Sequence, residues 1–355
     1  MKAFLILEDG TVFEGTSIGS TREIISEIVF NTSMAGYVET LTDPSYAGQV
    51  VVMTYPLIGN TGVCYDDMES SKVWPDGCIV RELSRIPSNF RSEDTIQHFF
   101  ETSDISGISG IDTRALTKIL REKGTMNGMI TTDENFDLDV CLPRIKAYTG
   151  TGLVEKVTCK EVYTVAGGGK KIAVLDLGVR KSLVTSLQEK GCEVTVYPAF
   201  TKAETILAAN PDGIVISNGP GNPEECTEII NELKKMYEAD VPVFAMGLGH
   251  HLMALATGAT VSRLPYGHHG TNYPVKDMET GRVYISAQKH EYAVDAGSVN
   301  PEVAAVALVN VNDGSCEGLR YVGKKIFTIE YQPDAYPGSQ DTSYEEFMNL
   351  MEVNN

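Results

Sequence analysis

From Ile172 onward the chain alternates apolar strands with amphipathic helices, and this alternation limits its fold more than any other feature. Ile172–Leu175 is a continuous apolar run, Lys181–Lys190 reads as a helix, and Glu193–Val196 reads as a strand. Ala203–Ala209 reads as a helix, Gly213–Ile216 as a strand, Glu224–Tyr237 as a helix and Val241–Met246 as a strand. Such a pattern predicts βαβ units, and with them a mostly parallel sheet covered by helices on both faces.

Directly after Met246 the sequence runs Gly247-Leu248-Gly249-His250, and a helix is predicted from His250 to Ala256. A sharp strand-to-helix turn is where many α/β hydrolytic enzymes hold a strained, exposed nucleophile at the carboxyl edge of the sheet. Glycine keeps the turn and supplies no nucleophile. A second glycine-rich turn, Ser217-Asn218-Gly219-Pro220-Gly221-Asn222-Pro223, also follows a strand. Its spacing matches neither GxGxxG nor GxxxxGK[ST], and its two prolines remove backbone donors. It reads as an ordinary tight turn or, better suited to its place, as a rigid loop whose N–H groups point at a developing oxyanion.

Residues 1 to about 150 are turn-rich, with strands predicted at Phe4–Leu7, Ile28–Asn31, Gln49–Met53 and Cys78–Arg81. A helix is predicted from Thr113 to Glu122, capped at Asp112-Thr113 and stopped by Lys123-Gly124. A looser stretch ends in Gly167-Gly168-Gly169-Lys170-Lys171 and reads as a linker. The division is therefore a first domain over 1–150, a linker over 151–171 and a second domain over 172–355. The 355 residues suffice for two domains, each with its own core.

The formal net charge of −19 argues against nucleic acid or an anionic membrane as a partner. Seven cysteines without a CxxC pair fit reduced thiols in a cytoplasmic protein. The apolar start Phe4–Leu7 is too short for a signal peptide and is followed by Glu8-Asp9-Gly10, so it reads as a first strand turning into a second at Thr11. No apolar run is long enough to span a bilayer.

Ser217–Pro223, Gly247–His250 and Tyr331-Gln332-Pro333-Asp334-Ala335 together resemble the class I, triad-type glutamine amidotransferases. The N-terminal part narrows the resemblance. Leu7-Glu8-Asp9-Gly10, Phe30-Asn31-Thr32-Ser33-Met34-Ala35-Gly36-Tyr37, Leu41-Thr42-Asp43-Pro44-Ser45-Tyr46 and Ser88-Asn89-Phe90-Arg91 are similar to the small, glutaminase chain of carbamoyl-phosphate synthase. So are Asp112-Thr113-Arg114 and Tyr266-Gly267-His268-His269-Gly270. The resemblance implies an α/β fold: a flavodoxin-like, mostly parallel C-terminal amidotransferase domain preceded by a smaller mixed α+β domain. In that family a cysteine on the turn attacks glutamine, a histidine activates it, and a glutamate orients the histidine. The released ammonia passes to a large synthetase chain, which uses ATP and bicarbonate to make carbamoyl phosphate for arginine and pyrimidines. The first domain helps form the interface with that chain, and no cofactor is implied in the small chain itself.

Position by position, the family's cysteine falls on Gly247, its histidine on Gln332 and its glutamate on Asp334. Attack needs a thiolate and a base to generate it, and a neutral amide does not take up a proton near pH 7. The oxyanion positions Gly219, Gly221 and the Leu248 amide persist. At the glutamine-pocket positions Ser45 agrees with the family, whereas His251 replaces a glutamine, Lys289 an asparagine, Glu291 a glycine and Tyr292 a phenylalanine. If Gln288–Ala293 is a strand, 289 and 291 share one face. The lysine and glutamate then either pair and fill the glutamine site or lie solvated at the surface. Glutamine binding is expected to be weak or absent.

Five of the six histidines, His250, His251, His268, His269 and His290, lie in these segments. Four sit where the resemblance places histidine, and His251 has no HxxxH or cysteine partner, so no metal is assigned. The leading reading is a non-catalytic small chain that stabilises a large chain running on free ammonia. A second is a stand-alone pseudo-glutaminase holding a different small, charged ligand. A third is a working glutaminase in which Ser217 or Cys226 has moved to the turn.

Overall fold

A computed structural model describes residues 1–334 and 341–352. The chain forms two compact units, Met1–Thr151 with Pro265–His269, and Gly152–Leu264 with Gly270–Asn355. Among the described residues no helix is long and apolar enough to cross a membrane.

The first unit is built on a closed barrel. Its strands run in the order Lys2–Leu7, Val12–Gly19, Ser106–Ser109, Gly77–Ile79, Gln49–Met53, Ile24–Asn31 and Met126–Thr131. The last pairs back on the first, Leu5 opposite Ile130, so none of these strands is left as an open edge. The expected turn is present at Asp9-Gly10, where Gly10 takes φ +87° and donates to the Leu7 carbonyl. Side chains alternate between two cores as strand geometry requires. Leu5, Ile28, Phe30, Val50, Val52 and Ile79 pack into one core, while Val29, Val51, Met53, Cys78 and Val80 pack into the other.

A helix over Thr113–Lys123 buries Leu116 and Leu120 against the first of these cores. The Asp112 carboxylate caps it by accepting from the Ala115 N–H at 3.0 Å, and Gly124 ends it at φ +93°. Asp112→Ala is expected to cost about 1 kcal/mol. The check is a lower urea midpoint by circular dichroism with an unchanged slope.

In the second unit five strands form a parallel sheet in the order Glu193–Pro198, Lys171–Asp176, Gly213–Ile216, Val243–Met246 and Ile326–Ile329. That order, second-first-third-fourth-fifth along the chain, is the flavodoxin arrangement. Ala173, Leu175, Ile214, Ile216 and Ala245 pack on one face under the helices Ala203–Ala208, Thr227–Glu238 and Leu248–Ala256. Val174, Val215, Phe244, Phe327 and Ile329 pack on the other, under Lys181–Glu189 and Ser343–Glu352. Beyond Ile326–Ile329 the sheet continues through Cys316–Tyr321, Val283–Val294, Val261–Asp277 and Ala304–Asn310, the last also pairing with Cys316–Tyr321.

The stretch 151–171 is not a loose connector. It holds a helix, Leu153–Val157, with Leu153, Val154 and Val157 buried, and a strand, Tyr163–Val165, on the sheet edge beside Glu193–Pro198. Two of its glycines serve close approach. A Cβ on Gly167 would lie 2.1 Å from the Cys192 carbonyl oxygen, and one on Gly169 would lie 2.8 Å from that of Gly191.

Candidate functional site

The parallel strands deliver Gly178, Ser217–Gly221, Gly247 and Glu330–Asp334 to their carboxyl ends, where open α/β sheets place their sites. Gly247 takes φ 53° and ψ −119° between Val243–Met246 and the helix Leu248–Ala256. This is neither right-handed nor left-handed helical geometry, and it strains any residue with a Cβ. The turn is pinned by Gly247 N–H to the Ile329 carbonyl at 3.0 Å and by Gly249 N–H to the Ser217 carbonyl at 3.2 Å. A Cβ on Gly247 would stand 3.1 Å from Asn218 Cβ.

Gly247→Cys is therefore expected to lower stability by about 1–3 kcal/mol. The check is a lower melting temperature, with no turnover gained because position 332 still holds an amide. A variant that melts higher would contradict the strain argument.

The glycines of the oxyanion loop are demanded by the backbone. A Cβ on Gly219 would lie 2.2 Å from the Leu177 carbonyl oxygen, and Gly221 takes φ +95°. Leu248 opens the helix, so its N–H is one of the first-turn amides without an intrahelical acceptor.

Neither proposed substitute nucleophile is poised. Ser217 is fully buried; its hydroxyl accepts from the Leu177 N–H at 2.9 Å and donates to the Asn218 carbonyl at 2.8 Å. Burial pushes the Cys226 thiol up to about 11. The other three thiols of the second unit are also raised by burial, Cys159 and Cys316 to about 12 and Cys192 in the same direction. A thiol shifted that way is a poor source of thiolate.

Gln332 donates its backbone N–H to the Ala287 carbonyl at 2.9 Å. The Asp334 side chain is shielded from solvent, with Oδ1 3.3 Å from Arg180 Nη1. Ala335 lies outside the described residues. Ser45 belongs to the first unit, in the turn Pro44–Tyr46, where the Asp43 carboxylate accepts from its N–H at 2.8 Å. Lys289, Glu291 and Tyr292 lie in the strand Val283–Val294, so 289 and 291 do share a face. Lys289 is half-buried and Glu291 is buried, which removes the solvated-surface reading for the glutamate. Tyr292 is half-buried against the core that contains Leu248 and Leu252.

The residue that sequence reasoning missed is Glu330. It ends the apolar run Ile326-Phe327-Thr328-Ile329, and its side chain is fully buried. A lone carboxylate closing a core strand was the available signal. Its Oε2 lies 2.6 Å from His251 Nε2 and 3.8 Å from His250 Nε2, and its Oε1 lies 3.6 Å from His290 Nδ1. The 2.6 Å approach is a close contact without hydrogen-bond alignment, since Glu330 Oε1 and Oε2 and the Nε2 atoms of both His250 and His251 have no hydrogen-bond partner. Burial holds Glu330 well above the carboxylate range, His251 down to about 3 and His250 well below its ordinary value. Desolvation thus favours the uncharged form of all three.

Two family models match the chain. The model described as carbamoyl-phosphate synthase small chain, CPSase domain, matches residues 5–130. The one described as glutamine amidotransferase class-I matches residues 173–350. A carbamoyl phosphate synthase small chain of Clostridium perfringens is 44% identical over 98% of this chain and 99% of its own length. One from Fusobacterium nucleatum is 44% identical over 99% and 98%. A carbamoyl phosphate synthase pyrimidine-specific small chain of Halalkalibacterium halodurans is 43% identical over 100% and 98%.

Proposed function

The chain belongs to the carbamoyl-phosphate synthase small-chain family, and on that premise we propose that it partners a large synthetase chain without hydrolysing glutamine itself. The observation that carries this reading is Gly247, which holds the turn where the family keeps its cysteine and has no side chain to attack with. Gln332 supplies an amide in place of the base, and the Asp334 carboxylate lies against Arg180. The large chain would draw ammonia from solution and use ATP and bicarbonate to make carbamoyl phosphate, for pyrimidine or arginine synthesis. The small chain would serve as its structural or regulatory subunit in the cytoplasm.

Co-expression with a large chain tests this. The two should co-purify, and carbamoyl phosphate should form from ammonium but not from glutamine. Synthesis driven equally by glutamine would overturn the reading.

The lysine and glutamate at 289 and 291 favour a second reading, a stand-alone pseudo-glutaminase holding a different small, charged ligand. Buried Glu291 and half-buried Lys289 share the face where the family contacts glutamine. Failure to associate with any large chain would favour it, and stable association would count against it.

A further inference from the structure

We propose that the loop over residues 84–94 of the first unit docks on the large synthetase chain, with Phe90 and Ile86 as apolar anchors and Arg81 and Arg85 meeting an acidic rim on the partner. The proposal rests on the partner given in the proposed function and adds where on this chain it binds. Phe90 is 98% exposed and Ile86 79%, the two most exposed large apolar side chains among the described residues. A lone exposed apolar residue needs no explanation, but two such extremes on one short loop mark a surface kept for a partner.

The loop is held firmly on both flanks. On the way in, Leu57–Ile58 pairs in parallel with Glu82–Leu83, the Ser84 N–H donates to the Ile58 carbonyl at 2.7 Å, and the Ser88 N–H donates to the Asn60 carbonyl at 2.9 Å. On the way out, the Glu93 N–H donates to the Val63 carbonyl and the Val63 N–H to the Asp94 carbonyl, both at 2.8 Å. Around Phe90 itself, the Asn89 side-chain oxygen accepts from the Arg91 N–H at 3.0 Å, and the Arg91 guanidinium donates to Asp67 Oδ1 at 2.6 Å. Gly62, at φ +70°, lets the loop seat closely, since a Cβ there would stand 1.9 Å from Ser92 Oγ. The backbone that holds both apolar side chains in water is thus ordered before any partner arrives. Pre-ordering lowers the entropic cost of association, and aromatic and arginine side chains are the types enriched where proteins meet.

The occupant follows from position and charge. The loop lies within residues 5–130, matched by the CPSase-domain model, and outside the amidotransferase match over 173–350. Its partner is therefore specific to the synthase rather than common to amidotransferase domains. Arg81 and Arg85 are exposed, and neither has an ion-pair partner among the described residues. A symmetric loop-to-loop pairing of two copies would bring like arginines together and add the repulsion between two chains of net charge −19. An acidic rim on a different chain satisfies the same arginines and steers its approach.

The test is the affinity of full-length variants for the purified large chain, measured by surface plasmon resonance. Phe90→Asp should weaken binding at least about 30-fold and Ile86→Ala about fivefold or more. Arg85→Glu should slow association about threefold or more at low salt, with the difference shrinking as salt rises. Because these side chains stand in water, each variant should keep the wild-type melting temperature. Ile285→Ala, on a similarly exposed residue of the second unit, should bind like the wild type. Wild-type affinity in Phe90→Asp would overturn the loop assignment while leaving the partner reading intact, and equal weakening in Ile285→Ala would overturn it as general apolar adhesion. No binding by the wild type would overturn the partner reading and this assignment with it. A wild-type homodimer in sedimentation equilibrium that Phe90→Asp dissociates would give the loop to a second copy and also overturn the proposal.

Discussion

Glutamine hydrolysis by this chain, alone or with a large synthetase chain, is expected to run about 10⁶-fold below that of a relative with an intact cysteine–histidine–glutamate triad. At roughly 1.36 kcal/mol per decade this is about 8 kcal/mol of barrier. On the proposed reading, the family's nucleophile position falls on Gly247 and its base position on Gln332. Triad members act as a unit, so losing both costs about as much as losing one. Residual rate would come from the loop of Gly219, Gly221 and the Leu248 amide, which survives because the backbone geometry itself demands those glycines. Among the described residues of the second unit, every thiol is shifted away from thiolate formation. Glutamate release from purified protein is the measurement. A rate within about a hundredfold of the intact relative would mean that another nucleophile reaches the turn. By the same argument, Gly247→Cys and Gln332→His should each fail singly, and any gain should require both.

The second large effect concerns stability. Arg180→Met is expected to destabilise the second unit by about 3–5 kcal/mol, because it removes the guanidinium from beside a buried carboxylate side chain. For a unit of this size that is a fall in melting temperature on the order of 10 °C. The side chains of Arg180 and Asp334 are only 6% and 4% exposed, so solvent screening does little for the survivor. The double variant Arg180→Met, Asp334→Leu should recover most of the loss, since an apolar replacement removes both charges together. A single variant costing less than about 1 kcal/mol would place the pair among the weak surface type.

The parallel sheet of the second unit was legible because each strand is a short apolar run and each helix follows within a few residues. Gly213–Ile216 and Gln49–Met53 match prediction to the residue, and Val241–Met246 begins two residues later than read. The turn at Gly247 followed from the same local signals, whereas the flavodoxin-like strand order was implied by the family resemblance and not by any local pattern. The barrel was not legible. Its closure depends on Lys2–Leu7 meeting Met126–Thr131, a pairing across most of the unit that no local pattern encodes. The glycines at 167 and 169 looked like looseness because sequence shows a missing side chain but not the backbone that fills its place. Glu330 escaped because His251 and His290 come from a separate helix and strand, and burial reverses the charge preference that a glutamate has in water.

With Gly247 at the turn, this chain is expected to form no acyl-enzyme thioester with glutamine. The most direct measurement is the intact mass of the protein after incubation with a diazo-ketone glutamine analogue, with and without a large synthetase chain. The mass is expected to be unchanged. A stoichiometric glutamyl-type adduct mapped to any cysteine would contradict it.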